Sequence, residues 1–344
     1  MTGRFYKSGL RFVGVFLLLL GGLRPDVANA ERIPLVWPTP NRAFLEGGSP
    51  SEYVQPTVSG RIESGLYGCT RTGGRQFHEG LDLKTIGRDR NGRASDPIFA
   101  AMPGRVAYVN RVGGNSSYGI YVVLEHEHDG INFYTLYAHM RMVDEAISVG
   151  TEVEQGAVLG IIGTTAAGYT IPRSRAHVHF EMGLQLDRDF NWWYKQQPYG
   201  SRNLHGSWNG MNLLGWDPLE FYRLALAGEI DGARDYLQGQ PVALRVRVYY
   251  PGVPDLAARS PGLVGGALTE PRGGWDVDFS PYGIPLSFRP VPASVFSEST
   301  PGVSIISHDS NLAFPPCRDL LDKKGSGYVP GSDLERTLEL LFGK

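Results

Sequence analysis

The stretch RAHVHFEM, residues 175–182, carries His177 and His179 one residue apart. On a β-strand, positions two apart point to the same face. Both imidazoles would then face one side, with Ala176, Val178 and Phe180 on the other. Two rings on one face can converge on a metal ion or on a reacting group. Alternation leaves open which ring would touch a metal, and two polar strand residues facing solvent would give the same H-x-H.

A second group lies in FHEGLDL, residues 77–83. His78 and Asp82 are four apart, about 13 Å along a flat strand. Ligands of one zinc, each about 2 Å from the ion, cannot be so distant. If both bind one ion the chain must bend between them, and Gly80 permits a bend or bulge. The run begins His-Glu, but Asp82 stands where H-E-x-x-H needs its second histidine. Glu79 is therefore not the base of that motif. In LYAHM, residues 136–140, His139 falls at the end of a strand, with Tyr137 on its face. A third histidine near a metal is suited to proton transfer or to stabilising an oxyanion. The other histidines read differently. His126 and His128 form another H-x-H, but at a hairpin tip among Glu125, Glu127 and Asp129, which reads as a solvated turn. His205 could line a substrate groove, and His308 reads as surface.

Strands must position these residues. The chain has 344 residues with Gly 45 and Pro 24, a balance that favours a turn-rich β fold over a helical bundle. Residues 31–57 are Pro-rich and irregular. From 58 to 183, short strands alternate with Gly-rich turns: GRVAYVN (104–110), IYVVLEH (120–126), INFYTLYAH (131–139), AVLGIIG (157–163) and AHVHFEMGL (176–184). Asp129-Gly130 is a hairpin turn between the second and third. Residues 184–215 are an aromatic excursion. Residues 218–238 are predicted helical, with Asp217 as N-cap and Pro218 at N1. Strand patterns return over 241–300, and SDLERTLELLFG predicts a final amphipathic helix with Ser332 as cap.

The N-terminus reads as a secretory signal: Arg4, Lys7 and Arg11, then an apolar run over 12–23, then Ala28-Asn29-Ala30 as the cleavage site. The apolar run is short for a membrane span. Cleavage after Ala30 predicts an exported chain, periplasmic or extracellular, with no stable span. It removes four basic residues and one acid and leaves a net charge of about −5. That mild acidity offers nothing to nucleic acid. Cys69 and Cys317 are the only cysteines. In an exported chain they could form a disulfide or stay as two thiols.

The succession H-x-x-x-D, Y-x-H, then H-x-H followed by Phe-Glu resembles the lysostaphin/LytM-type zinc metallopeptidases, endopeptidases that cut peptidoglycan cross-bridges. The similarity spans roughly 58–183 and resumes at Asp217-Pro218-Leu219. GGRQFHEGLDL, IFAAMPGRVAYV, SSYGIYVVLEH and VEQGAVLGIIGTT also resemble the family's frame. The resemblance implies a mainly β fold, an antiparallel sheet of duplicated hybrid motif type with a groove. To this the chain adds a smaller C-terminal α+β region. The implied organisation is a signal peptide (1–30), an irregular segment (31–57), a peptidase domain (58–225) with an insertion (184–215), and a C-terminal region of unknown role (226–344). Carried onto this chain, the pattern makes His78, Asp82 and His179 the ligands of one Zn2+ ion, and His139 and His177 catalytic. The stretch IPRSRA (171–176) departs from the family's short Gly/Pro turn before H-x-H.

The implied activity is zinc-dependent endopeptidase action on cross-links or stem peptides of peptidoglycan. Alternatives are a non-catalytic activator of other wall hydrolases, and a zinc carboxypeptidase on wall peptides. Trp192, Trp193, Tyr194, Trp208 and Trp216 could stack on sugars or clamp a peptide, or simply cover a loop core. The insertion and the C-terminal region could cap the groove.

Overall fold

The computed structural model describes Met1 and residues 32–266, 271–297 and 302–343. The secretory-signal reading falls on residues 1–30 and lies outside the described residues, Met1 aside. Among the described residues, no helix is long and apolar enough to cross a membrane. From residue 32 onward the chain is one compact, mainly β unit.

The strands that build the site are β1 (Gly68–Arg71), β2 (Gln76–His78), β3 (Leu81–Lys84), β4 (Pro97–Phe99), β5 (Gly104–Asn110), β6 (Ile120–His128), β7 (Ile131–Val143), β8 (Glu152–Val153), β9 (Val158–Ile162), β10 (His177–Gln185) and β11 (Leu213–Trp216). An antiparallel sheet runs β11-β10-β7-β6-β5-β8, with β3 also paired to β10, and β9 linking β4 to β7. The turn at Asp129-Gly130 has φ of 50° and 70°, the left-handed pair a two-residue hairpin needs.

Strand β10 is buried along its whole length. Val178, Phe180, Met182 and Leu184 enter the main core with Leu81, Leu83, Tyr137 and Trp216. Each fully buried aliphatic or aromatic side chain of this kind stabilises the fold by roughly 1.5–3 kcal/mol. The opposite face carries His177, His179 and Glu181. That face can be polar because its groups find partners, as described below.

Residues 32–49 cross the back of this sheet without regular structure. Trp37 packs on Phe44 and Tyr222, at ring separations of 4.8 and 5.0 Å. The C-terminal part forms a second antiparallel sheet, order β14-β13-β12-β15, from β12 (Leu244–Tyr249), β13 (Arg272–Phe279), β14 (Pro285–Pro292) and β15 (Val303–His308). Its core residues Val246, Trp275, Val277 and Phe288 join the same hydrophobic cluster. Cys69 and Cys317 form a disulfide across 248 residues of sequence.

Several expectations need correction. The helix expected over 218–238 is two, Pro218–Ala227 and Ala233–Gly239. Gly228 takes the left-handed C-cap conformation, φ 71°, and ends the first. Asp217 does cap that first helix, accepting from the N–H groups of Leu219 and Glu220. In the last helix, Gly331 holds the cap position, and Ser332 is the first helical residue, bonded to Asp319. His126 is not solvated. It is buried, its Nδ1–H donates to the Pro103 carbonyl at 2.8 Å, and its Nε2 accepts from Thr135. His308 is half-buried against Tyr328, at a ring separation of 4.6 Å.

Candidate metal centre

The chain does bend between His78 and Asp82. Strands β2 and β3 are separate, broken at Glu79-Gly80. A Cβ on Gly80 would sit 2.3 Å from the Phe180 carbonyl oxygen, so the bend passes too close to β10 for any side chain. Register then brings the partners together. Asp82 pairs with His179 across β3 and β10, and His179 pairs with Ala138 across β10 and β7.

His78, Asp82 and His179 converge as a buried triad. His78 Nε2 lies 3.2 Å from Asp82 Oδ1 and 3.0 Å from His179 Nδ1, and His179 Nδ1 lies 3.0 Å from Asp82 Oδ1. Ligands held about 2 Å from a common ion would be about 3 Å apart. The outer atoms fix the tautomers, because a carbonyl or carboxylate only accepts. His78 Nδ1–H donates to the Leu66 carbonyl at 2.8 Å, which leaves the Nε2 lone pair inward. His179 Nε2–H donates to Glu181 at 2.8 Å, which leaves Nδ1 inward. Two lone pairs and a carboxylate oxygen thus face one another within 3.2 Å, an arrangement that calls for a cation. Burial disfavours a protonated His179, yet bonds to Asp82 and Glu181 outweigh it and push its pKa up to about 9, so an ion would take the place of an Nδ1 proton. The donor set fits zinc.

Asp82 is steadied by Arg71, 2.7 Å from Oδ2. Burial would raise its pKa, but the neighbouring His78 and His177 rings and hydrogen bonds from His179 and His78 hold it well below the usual range. Glu181 is fully buried and accepts from both Tyr118 (2.6 Å) and Tyr134 (2.8 Å). Sequence reasoning assigned it no role, although alternation from His177 through His179 puts it on the same face.

His139 and His177 stand beside the triad, 4.9 Å apart between ring centres. His177 Nε2 is 3.6 Å from Asp82 Oδ1. Each ring donates Nδ1–H to a carbonyl, that of Thr165 (2.9 Å) for His139 and that of Arg175 (2.8 Å) for His177. Each Nε2 is left unprotonated. Burial lowers the pKa of both rings, most strongly for His139.

Tyr137 does not share a face with His139. His139 has φ of 59°, a left-handed conformation rare for a residue with a side chain. It shifts the alternation of β7 by one residue. Tyr137 and Met140 therefore both enter the core, while His139 turns to the site.

A cavity of about 520 Å³ opens over the centre, lined by His139 and His179 with Arg71, Glu79, Tyr118 and Tyr169. A neighbouring cavity of about 500 Å³ shares Glu79 and Tyr118 with it and is walled by the insertion, through Tyr194, Arg202 and His205. The groove role expected of His205 thus has a place. Of the aromatics expected to clamp substrate, Trp193 and Trp216 are buried in the core and Trp208 packs on Tyr134, whereas Tyr194 lines the second cavity.

Residues 76–190 match the family model described as Peptidase family M23. His78, Asp82, His139, His177 and His179 all lie within that match. Solved structures with local similarity include a mutant catalytic domain of the prophage-encoded M23 protein EnpA from Enterococcus faecalis, at 26% identity over 39% of this chain and 82% of that one, TM-score 0.26. The catalytic domain of the antimicrobial peptidase lysostaphin from Staphylococcus simulans is 21% identical over 46% and 87%, TM-score 0.28. A zinc-containing peptidase from Vibrio cholerae is 22% identical over 44% and 36%, TM-score 0.27. No curated protein matches the chain.

Proposed function

We propose that this chain is a zinc-dependent endopeptidase acting on the peptides of peptidoglycan, with His78, Asp82 and His179 holding one ion. The observation that carries this reading is the set of three inward donor atoms within 3.2 Å, with two neutral imidazoles beside them. The family match over residues 76–190 supports it.

Bound there, zinc would supply Lewis acidity, polarising a peptide carbonyl and making water nucleophilic near neutral pH. The chain's own residues supply the proton handling. His139 and His177 are neutral near pH 7, because burial disfavours their charged forms. Their Nδ1–H bonds to backbone carbonyls leave each Nε2 as a proton acceptor, on the cavity wall for His139 and beside Asp82 for His177. One can take the proton of the attacking water, and a protonated ring can then return it to the leaving amine. Tyr169, with its hydroxyl 3.5 Å from His139 Nε2, is placed to hold that ring or a developing oxyanion. The two adjoining cavities offer a groove in which a peptide can lie extended. Export would place the enzyme beside that substrate.

The test is digestion of purified peptidoglycan, with and without chelator, followed by mass analysis of the fragments. Chelator-sensitive loss of cross-linked fragments, with new amino termini, is the expected result. Release of single terminal residues would indicate a carboxypeptidase, and zinc-loaded protein that releases nothing would point to a non-catalytic activator.

A further inference from the structure

A third cavity, of about 270 Å³, lies against the site and is lined by Arg93, Arg141 and Arg173 with Gly163, Thr164 and Thr165. Its wall is bonded directly to the two histidines beside the metal triad. The Thr165 carbonyl accepts from His139, and Gly163 forms a β-bridge with His177. A Cβ on Gly163 would meet the Arg141 backbone nitrogen at 2.3 Å, so a bare glycine is what lets these segments close up.

The rim gathers positive charge on a chain whose net charge is −2. Arg88 adds a fourth guanidinium, donating to the carbonyls of Arg173 and Ser174 and pinning the 171–176 loop in place. Asp89 answers two of them, lying 3.3 Å from Arg141 and close enough to Arg93 to feel its charge. Asp96, beneath the rim, is buried and occupied by the Thr85 hydroxyl and the N–H groups of Ile86 and Gly87. Four guanidiniums against the two carboxylates of Asp89 and Asp96 leave net positive charge at the mouth of a cavity whose wall bonds to both histidines. Arginine forks suit carboxylates, which they can grip with two parallel hydrogen bonds.

We infer that Arg93, Arg141 and Arg173 form a subsite for a carboxylate of the substrate peptide, flanking the bond to be cut. The inference rests on the peptidase reading and names the feature of the peptide that this chain selects. The arginines bind and orient; they do no chemistry. Arg173 itself belongs to the 171–176 stretch that replaces a short turn, and Arg88 holds that stretch against the rim.

The test uses cross-linked wall peptides with free carboxylates, and the same peptides converted to carboxamides. Both are offered to the full-length zinc-loaded protein, and both hydrolysis and equilibrium binding are followed. The carboxylate form should show a roughly tenfold higher kcat/KM, expressed mainly in KM and shrinking as salt rises. Arg93→Gln and Arg173→Gln should each narrow that preference, and Arg173→Glu should reverse it. Equal kcat/KM for the two forms in the unmodified protein, or an undiminished preference in both Gln variants, would overturn the subsite. If neither form is hydrolysed while the carboxylate form still binds more tightly through these arginines, the subsite stands and the peptidase reading falls.

Discussion

At the scale of single residues, the outer nitrogen of each histidine ring has one partner that fixes it. Backbone carbonyls take the outer protons of His78, His139 and His177, and Glu181 takes that of His179. Glu181 is itself held by two tyrosine hydroxyls, so the His179 ring is fixed from behind. Partners of this sort commonly change metal affinity roughly 10–100-fold when removed. Glu181→Ala is therefore expected to weaken zinc binding by that order, measured by competition with a chelating dye. An unchanged affinity would show that the ring is oriented by packing alone. The five candidate residues were legible from sequence because their types and order are distinctive. Glu181 was legible in principle, through strand alternation. The position of His139 was not, because its left-handed backbone breaks the period from which faces are read.

At the scale of elements, strands carry the site and a bend completes it. The sequence marked the strands through alternation and the bend through Gly80, and both are present. It misjudged His126, since charged neighbours in LEHEHDG hid a ring that tucks under Pro103. Burial lowers the His126 pKa to about 4, against its ordinary 6.5. The folded ring stays neutral where the unfolded one is already protonated. Its contribution is complete above pH 6.5 and is lost as pH falls from there toward 4. The total is about 3 kcal/mol, because each tenfold change in proton affinity corresponds to about 1.4 kcal/mol. Urea unfolding at about pH 7 and about pH 4.5 should show that fall, and His126→Gln, which cannot titrate, should show a smaller one. Identical falls in both proteins would remove His126 as the cause. The single helix expected over 218–238 failed at Gly228, where a left-handed cap overrides a continuous helical pattern.

At the scale of the whole molecule, the C-terminal region buttresses the strands that carry His78. The disulfide joins Cys317 to Cys69 in β1, and β1 pairs with β2, which ends at His78. The Arg318 guanidinium sits 3.8 Å over the ring of Phe77, next to that histidine. Tyr282 packs on the same ring at 5.1 Å. From the sequence the disulfide was one of two readings, a bond or two thiols, while the packing of Arg318 and Tyr282 on Phe77 was not legible at all. Closing so long a loop typically contributes about 2–5 kcal/mol. Reduction is expected to lower the denaturant midpoint accordingly; a midpoint that does not move would mean the core alone holds the two parts together.

The central claim is that two histidines on one face divide two tasks, His179 holding the metal and His177 moving the proton. Zinc content per chain, measured by mass spectrometry on the purified wild-type, His179→Ala and His177→Ala proteins, tests it most directly. The expected values are about one ion, none, and about one. Loss of zinc in His177→Ala with retention in His179→Ala would contradict the assignment.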